Sequence, residues 1–196
     1  MGIHSVAGVL VGAATVGGLL AGCGSKPTPG PAGTPPPPVV SSAASNPQQR
    51  HNQADVVFLQ NMILHHAQAI AMSQAAGNQA SSPQVKGLAT RIETEQTPQA
   101  QQMSDLLTAW GTATPATTSV GTAGGLGHDQ TAVTMSGATF DRMFLQVMID
   151  HHQDAVTMSQ TELAQGNNPA TRNLAQQIIS AQQAEISEMQ ALLQVI

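Results

Sequence analysis

DVVFLQNMILHHAQAIAMSQ, residues 55–74, returns at residues 141–160 as DRMFLQVMIDHHQDAVTMSQ, 86 positions later. Both copies carry Phe-Leu-Gln, Met-Ile, a His-His pair and Met-Ser-Gln. In the first copy apolar residues recur at Val56, Leu59, Ile63 and Ile70, and at Phe58, Met62, Ala69 and Met72, with no Pro or Gly among them. This is helical spacing, and it predicts a helix over residues 52–77. Ser82 and Pro83 then supply an N-cap and a first helical residue. A second helix is expected over 83–110, with Leu88, Ile92, Met103, Leu106, Leu107 and Trp110 on its apolar side. Pro98 in its interior should kink it, because Pro removes a backbone donor and crowds the preceding turn.

The 86-residue offset continues without a gap. It predicts a third helix over 139–165 and a fourth from Pro169 carrying Leu174, Ile178, Ile186, Met189, Leu192 and Leu193. Ala184 stands where Pro98 would fall, so the kink is expected in one half only. Neither αα-hairpin can bury its apolar face alone, and two should close into an all-α four-helix bundle. Residues 111–138, rich in Gly, Thr, Ala and Ser, exceed the two to eight residues usual between neighbouring helices. A connector that long permits a ferritin-like crossover, with helices one and three antiparallel. The bundle is thus placed at 52–196, with hairpins at 52–110 and 139–196.

Composition supports helices and narrows the partners. Aromatic residues make up 2% of the chain, with no Tyr and one Trp, which is poor material for a sheet sandwich. Six Lys and Arg against a net charge of -5 leave no basic stripe for phosphates, so nucleic acid is not an expected partner. Residues 3–21 are apolar and end in Leu20-Ala21-Gly22-Cys23, which resembles the lipobox of bacterial lipoproteins. By that resemblance residues 1–22 are a signal peptide, and Cys23 is the lipidated mature N-terminus. The alternative, a spanning helix of about 20 apolar residues, fits the glycines and the following prolines less well. Residues 23–51 then form a Pro-rich tether, and the protein sits on the extracytoplasmic face of the membrane. As the only cysteine, Cys23 cannot form an intramolecular disulfide.

The chemistry concentrates in the His and Met residues. At about 100° per residue, Phe58, Met62, His65, Ala69 and Met72 share one arc of helix one. Asp55, Met62, His66 and Ser73 share the adjacent stripe, and helix three repeats both. His65 and His151 lie near the midpoints of their helices, where a pseudo-two-fold axis brings counterparts together. His65, His66, His151, His152, Met62 and Met148 are therefore the candidate metal ligands. Met72 and Met158 lie about 10 Å further along and are outer candidates. Imidazole with thioether favours copper, Cu(I) in particular, over Ca²⁺ and Mg²⁺, which want oxygen. Zinc more often takes Cys or carboxylate beside His. No Glu stands three residues before a His, which argues against a di-iron centre. Gln96, Gln182 and Glu185 are candidates to orient the imidazoles from behind. The competing reading is structural: Met stripes at helical spacing commonly fill cores, and a His among them is commonly a hydrogen-bonded core residue.

The same residues resemble the DUF305 family, whose pattern is approximately D-x-x-F-x-x-x-M-I-x-H-H-x-x-A-x-x-M followed by L-A-x-x-I and Q-x-x-E-I-x-x-M. It is matched by Asp55, Phe58, Met62, Ile63, His65, His66, Ala69 and Met72, and again by Asp141, Phe144, Met148, Ile149, His151, His152, Ala155 and Met158. Leu174, Ala175, Ile178, Gln182, Glu185, Ile186 and Met189 match the later part, whereas the first half has Gln99 and Ala100 in place of Glu-Ile. The resemblance implies a ferritin-like bundle in the bacterial envelope and a link to copper binding or copper tolerance. Many relatives carry a Met- and His-rich connector; here it retains only His128 and Met135. Three functions follow as expectations: a copper-binding lipoprotein without enzymatic activity, an envelope scaffold with His and Met as core, and, least supported, a redox enzyme. Protein partners and homo-oligomerisation stay open.

Overall fold

The computed structural model describes residues 50–117 and 136–196. The expected signal peptide, Cys23, the expected tether up to residue 49 and most of the connector, with His128 and Met135, lie outside the described residues. Four helices follow in order: α1 (Gln53–Gln79), α2 (Pro83–Ala109), α3 (Gly137–Gln165) and α4 (Pro169–Leu193). Among the described residues there is no strand, and no helix is long and apolar enough to cross a membrane.

Local chemistry sets the helix ends. Asn52 and Asp55 form a reciprocal capping box at α1: the Asp55 backbone N–H donates to the Asn52 side chain (3.1 Å), and Asn52 N–H donates to the Asp55 carboxylate (2.6 Å). Ser82 before Pro83 and Asn168 before Pro169 cap α2 and α4 with their side-chain oxygens. Ser136, before α3, makes no side-chain cap bond. Gly111 ends α2 with φ of 68°, a left-handed turn suited to glycine. The α2 helix runs on past Pro98, which faces solvent.

The buried side chains fall into two apolar clusters. One joins Met72, Ala76, Leu88 and Ile92 of the first hairpin to Phe140, Phe144, Leu145, Met148 and Met189 of the second. The other joins Phe58, Leu59, Met62 and Met103 to Ala155, Leu174 and Ile178. The late half of α1 therefore packs on the early half of α3, and the early half of α1 on the late half of α3. These inner helices are antiparallel, which makes the bundle up-down-down-up. The connector must join opposite ends, as its length suggested. Most members of one cluster map onto the other through the 86-residue offset, so the bundle has pseudo-two-fold symmetry.

Two aspartates tie the hairpins together. Asp55 of α1 accepts from the backbone N–H groups of Asn167 (3.1 Å) and Asn168 (2.9 Å), in the α3–α4 turn. Its counterpart Asp141 of α3 accepts from Ser81 N–H (2.9 Å), Ser81 Oγ (2.6 Å) and Ser82 N–H (2.9 Å), in the α1–α2 turn. Both aspartates are buried. Burial raises the Asp55 pKa, but the backbone donors and the Glu162 side chain together outweigh it and leave the carboxyl below its usual range.

Candidate metal centre

Between the two apolar clusters lies a belt of polar side chains at mid-bundle. The α1 and α3 helices bring His65 and His151 face to face across the pseudo-two-fold, with ring centroids 3.5 Å apart and planes tilted by 31°. Their meeting was expected from their positions along the helices. The second histidine of each pair lies against its own hairpin. His66 Nε2 sits 2.8 Å from Gln99 Oε1 on α2, and His152 Nε2 sits 2.8 Å from Glu185 Oε2 on α4. Each oxygen accepts from an Nε2–H, which leaves Nδ1 as the ring nitrogen outside that bond. Both of those Nδ1 atoms are buried and have no hydrogen-bond partner.

His65 is held little better: neither buried ring nitrogen makes a hydrogen bond of good geometry, and the polar group nearest to it is the His151 backbone carbonyl. His151 has one long contact, Nε2 to Gln68 Oε1 at 3.4 Å, and an unpartnered Nδ1. Burial lowers the pKa of three rings, and the neighbouring imidazoles lower it further. His65 falls to about 3, His66 to about 4 and His151 to about 2. The hydrogen bond to Gln99 works against this at His66. These imidazoles are neutral at physiological pH, the form that binds metal.

Several sequence expectations change here. His66 and His152, placed on the flanking stripe, are the fully buried members, while His65 and His151 are only partly buried. Gln96 and Gln182 do not orient the imidazoles: Gln99 and Glu185 do, and all four amide atoms of Gln96 and Gln182 are buried without partners. The rotation of α2 and α4 about their own axes decides this, turning the residue three positions on towards the ring. Gln99 was legible only as the counterpart of Glu185. Met62 and Met148 are wholly buried, one helical turn from the His pairs, on opposite sides of the belt. Met72 is buried in one end cluster, and Met158 packs partly buried against the other.

Among the described residues no three His, Cys, Asp or Glu side chains form a ready-made metal cluster. The donor set nevertheless suits a soft ion. Orphaned buried nitrogens mark places where a further polar partner belongs, and thioethers flank them. Imidazole lone pairs lie in the ring plane, so the stacked pair presents nitrogens at its edges and not between its faces.

Such a bundle, two apolar cores around a His and Met belt, defines a class of helical proteins with a central donor layer. Residues 55–193 match DUF305, a domain of unknown function, and the chain belongs to that family. Among solved structures it is similar to CopM in its Cu(I)-bound form, at 32% identity and a TM-score of 0.61, covering 71% of this chain and 95% of that one. CopM is also described in Cu(II)- and Ag-bound forms. A DUF305 fragment from Deinococcus radiodurans is 30% identical with a TM-score of 0.63, covering 74% and 98%. A DUF305 protein of Streptomyces coelicolor, described as a candidate secreted protein, is 26% identical with a TM-score of 0.62, covering 71% and 90%. The uncharacterized protein L153 of Acanthamoeba polyphaga mimivirus is 42% identical over 53 residues, which span 27% of this chain and 35% of that protein.

Proposed function

We propose that this DUF305 protein is a membrane-tethered copper-binding protein on the extracytoplasmic face, which holds the ion without catalysing a reaction. The observation that carries the reading is His65: its buried nitrogens make no hydrogen bond of good geometry, its ring lies 3.5 Å from that of His151, and buried methionines lie on either side of the belt. The nitrogens of His65, His66, His151 and His152, with the sulfurs of Met62 and Met148, would hold the ion. Bound there, copper would be kept from water and from competing thiols. The similarity to CopM supports copper, and the lipobox-like leader and the Streptomyces relative support an extracytoplasmic place.

Titrating the full chain with Cu(I) against a chromophoric chelator tests this. Replacing His65 and His151 together by Phe should keep the helical signal and remove high-affinity binding; unchanged affinity would refute the site. A scaffold reading draws on one observation, that His66 and His152 already have partners in Gln99 and Glu185. It requires the wild-type chain to ignore copper.

A further inference from the structure

We propose that Glu185 sets the valence of the ion the belt accepts, favouring a soft monovalent cation over a divalent one. This rests on the copper reading above. The two halves of the belt are geometrically equal and electrically unequal. His66 and His152 occupy equivalent positions, and each has its Nε2 2.8 Å from a side-chain oxygen at an equivalent position of α2 or α4. In one half that oxygen belongs to the neutral amide of Gln99; in the other it belongs to the carboxylate of Glu185, which is 9% exposed.

Imidazoles that bind a metal, thioethers and amides bring no formal charge, so the Glu185 carboxylate would be the one charged side chain of the loaded belt. A monovalent ion cancels its charge. A divalent ion leaves an excess positive charge among two apolar clusters, where solvation cannot offset it. Glu95 on α2 lies within reach of the Glu185 charge, but it is exposed, where solvent screens it, and Arg91 is paired with Glu188 at the surface. Glu185 also takes the Nε2–H of His152 and so enriches the opposite nitrogen as a donor.

Ag(I) and Zn(II) are suitable probes, because both are closed-shell ions without redox chemistry. Their affinities would be measured on the full chain for wild type, Glu185→Gln, Gln99→Glu and the double swap, with a thermal melt of each. Glu185→Gln should weaken Ag(I) binding by about 10–100-fold. Gln99→Glu should raise the Zn(II) to Ag(I) affinity ratio by about tenfold or more. The double swap moves the single charge to the equivalent position and should restore the wild-type ratio. A ratio unmoved by both single variants, or a swap that behaves like Glu185→Gln alone, overturns the assignment. Should Glu185→Gln fail to fold, the Gln99→Glu ratio decides. A wild-type chain that binds no Ag(I) overturns the copper reading itself, and this inference with it.

Discussion

Acidification from pH 7 to pH 5 should destabilise the bundle, and replacing Glu162 should make the loss steeper. His65, His66 and His151 have folded-state pKa values of about 3, 4 and 2 against an ordinary 6.5. The unfolded chain therefore binds protons in this window and the folded chain does not. Stability is present above pH 6.5 and is lost as pH falls towards these values. At pH 5 each ring costs up to about 2 kcal/mol, or about 6 kcal/mol for three.

Glu162 works in the opposite direction. It is buried beside Asp55; as a carboxylate neither of its oxygens has a partner, and as an acid it donates to Asp55. Burial first, then the Asp55 hydrogen bond and charge, hold its pKa up to about 8, while Arg172 pulls it back. Its stabilising protonation is complete at low pH and is lost as pH rises through 8, so acidifying to pH 5 returns about 2–3 kcal/mol. The upper bound on the net loss is about 3 kcal/mol, and solvent screening of the partly exposed His65 and His151 reduces it to about 2 kcal/mol. Urea unfolding followed by circular dichroism at pH 9, 7, 6 and 5, with a chelator present, reads this directly. The wild type should be most stable near neutrality. Glu162→Gln should lose the alkaline decline and fall about twice as steeply in acid. A stability that stays flat from pH 7 to 5, or a variant with the wild-type profile, would refute the reasoning.

Two further outcomes test the ends of the bundle. Asp141→Ala leaves the N–H groups of Ser81 and Ser82 without their buried acceptor and should cost about 3 kcal/mol in urea unfolding; a loss under about 0.5 kcal/mol would show that the tie is dispensable. Gly166→Ala sets a Cβ 2.0 Å from Glu162 Oε1, although φ of -74° suits any residue. It should cost about 1–3 kcal/mol in wild type and close to nothing in a Glu162→Ala background, as a double-mutant cycle would show.

The repeat made much of this architecture readable. Equal spacing at Leu59 and Leu145, or Met103 and Met189, is a local pattern that survives folding, and the connector length pointed to antiparallel inner helices. What could not be read was the rotation of each helix about its axis. A shift of one residue turns a side chain by about 100°, which is the difference between His65 and His66 as the buried ring. For the same reason Gln99 took the place expected for Gln96. Asp55 was visible on the stripe of Met62, His66 and Ser73, but its work is to bind a turn more than a hundred residues away. No periodicity reports that.

The belt itself is expensive by any structural account. It divides what would otherwise be one continuous apolar core into two clusters. It also leaves buried ring nitrogens of His65, His66, His151 and His152 poorly satisfied and two buried glutamine amides without partners. An orphaned buried polar group costs about 1–3 kcal/mol, and apolar side chains of similar size are often at least as stable in such places. The same chain satisfies its polar groups carefully elsewhere, with Asp55 and Asp141 each taking several backbone donors. Local rules are broken most often where function requires it. Here the breach coincides with the residues that supply soft and borderline metal donors. A belt that only packed the bundle would leave this cost without a counterpart, whereas a belt that receives an ion would recover it when the ion binds. Copper should accordingly raise the melting temperature of the wild type by more than that of the His65→Phe, His151→Phe variant; equal shifts would remove this argument for the site.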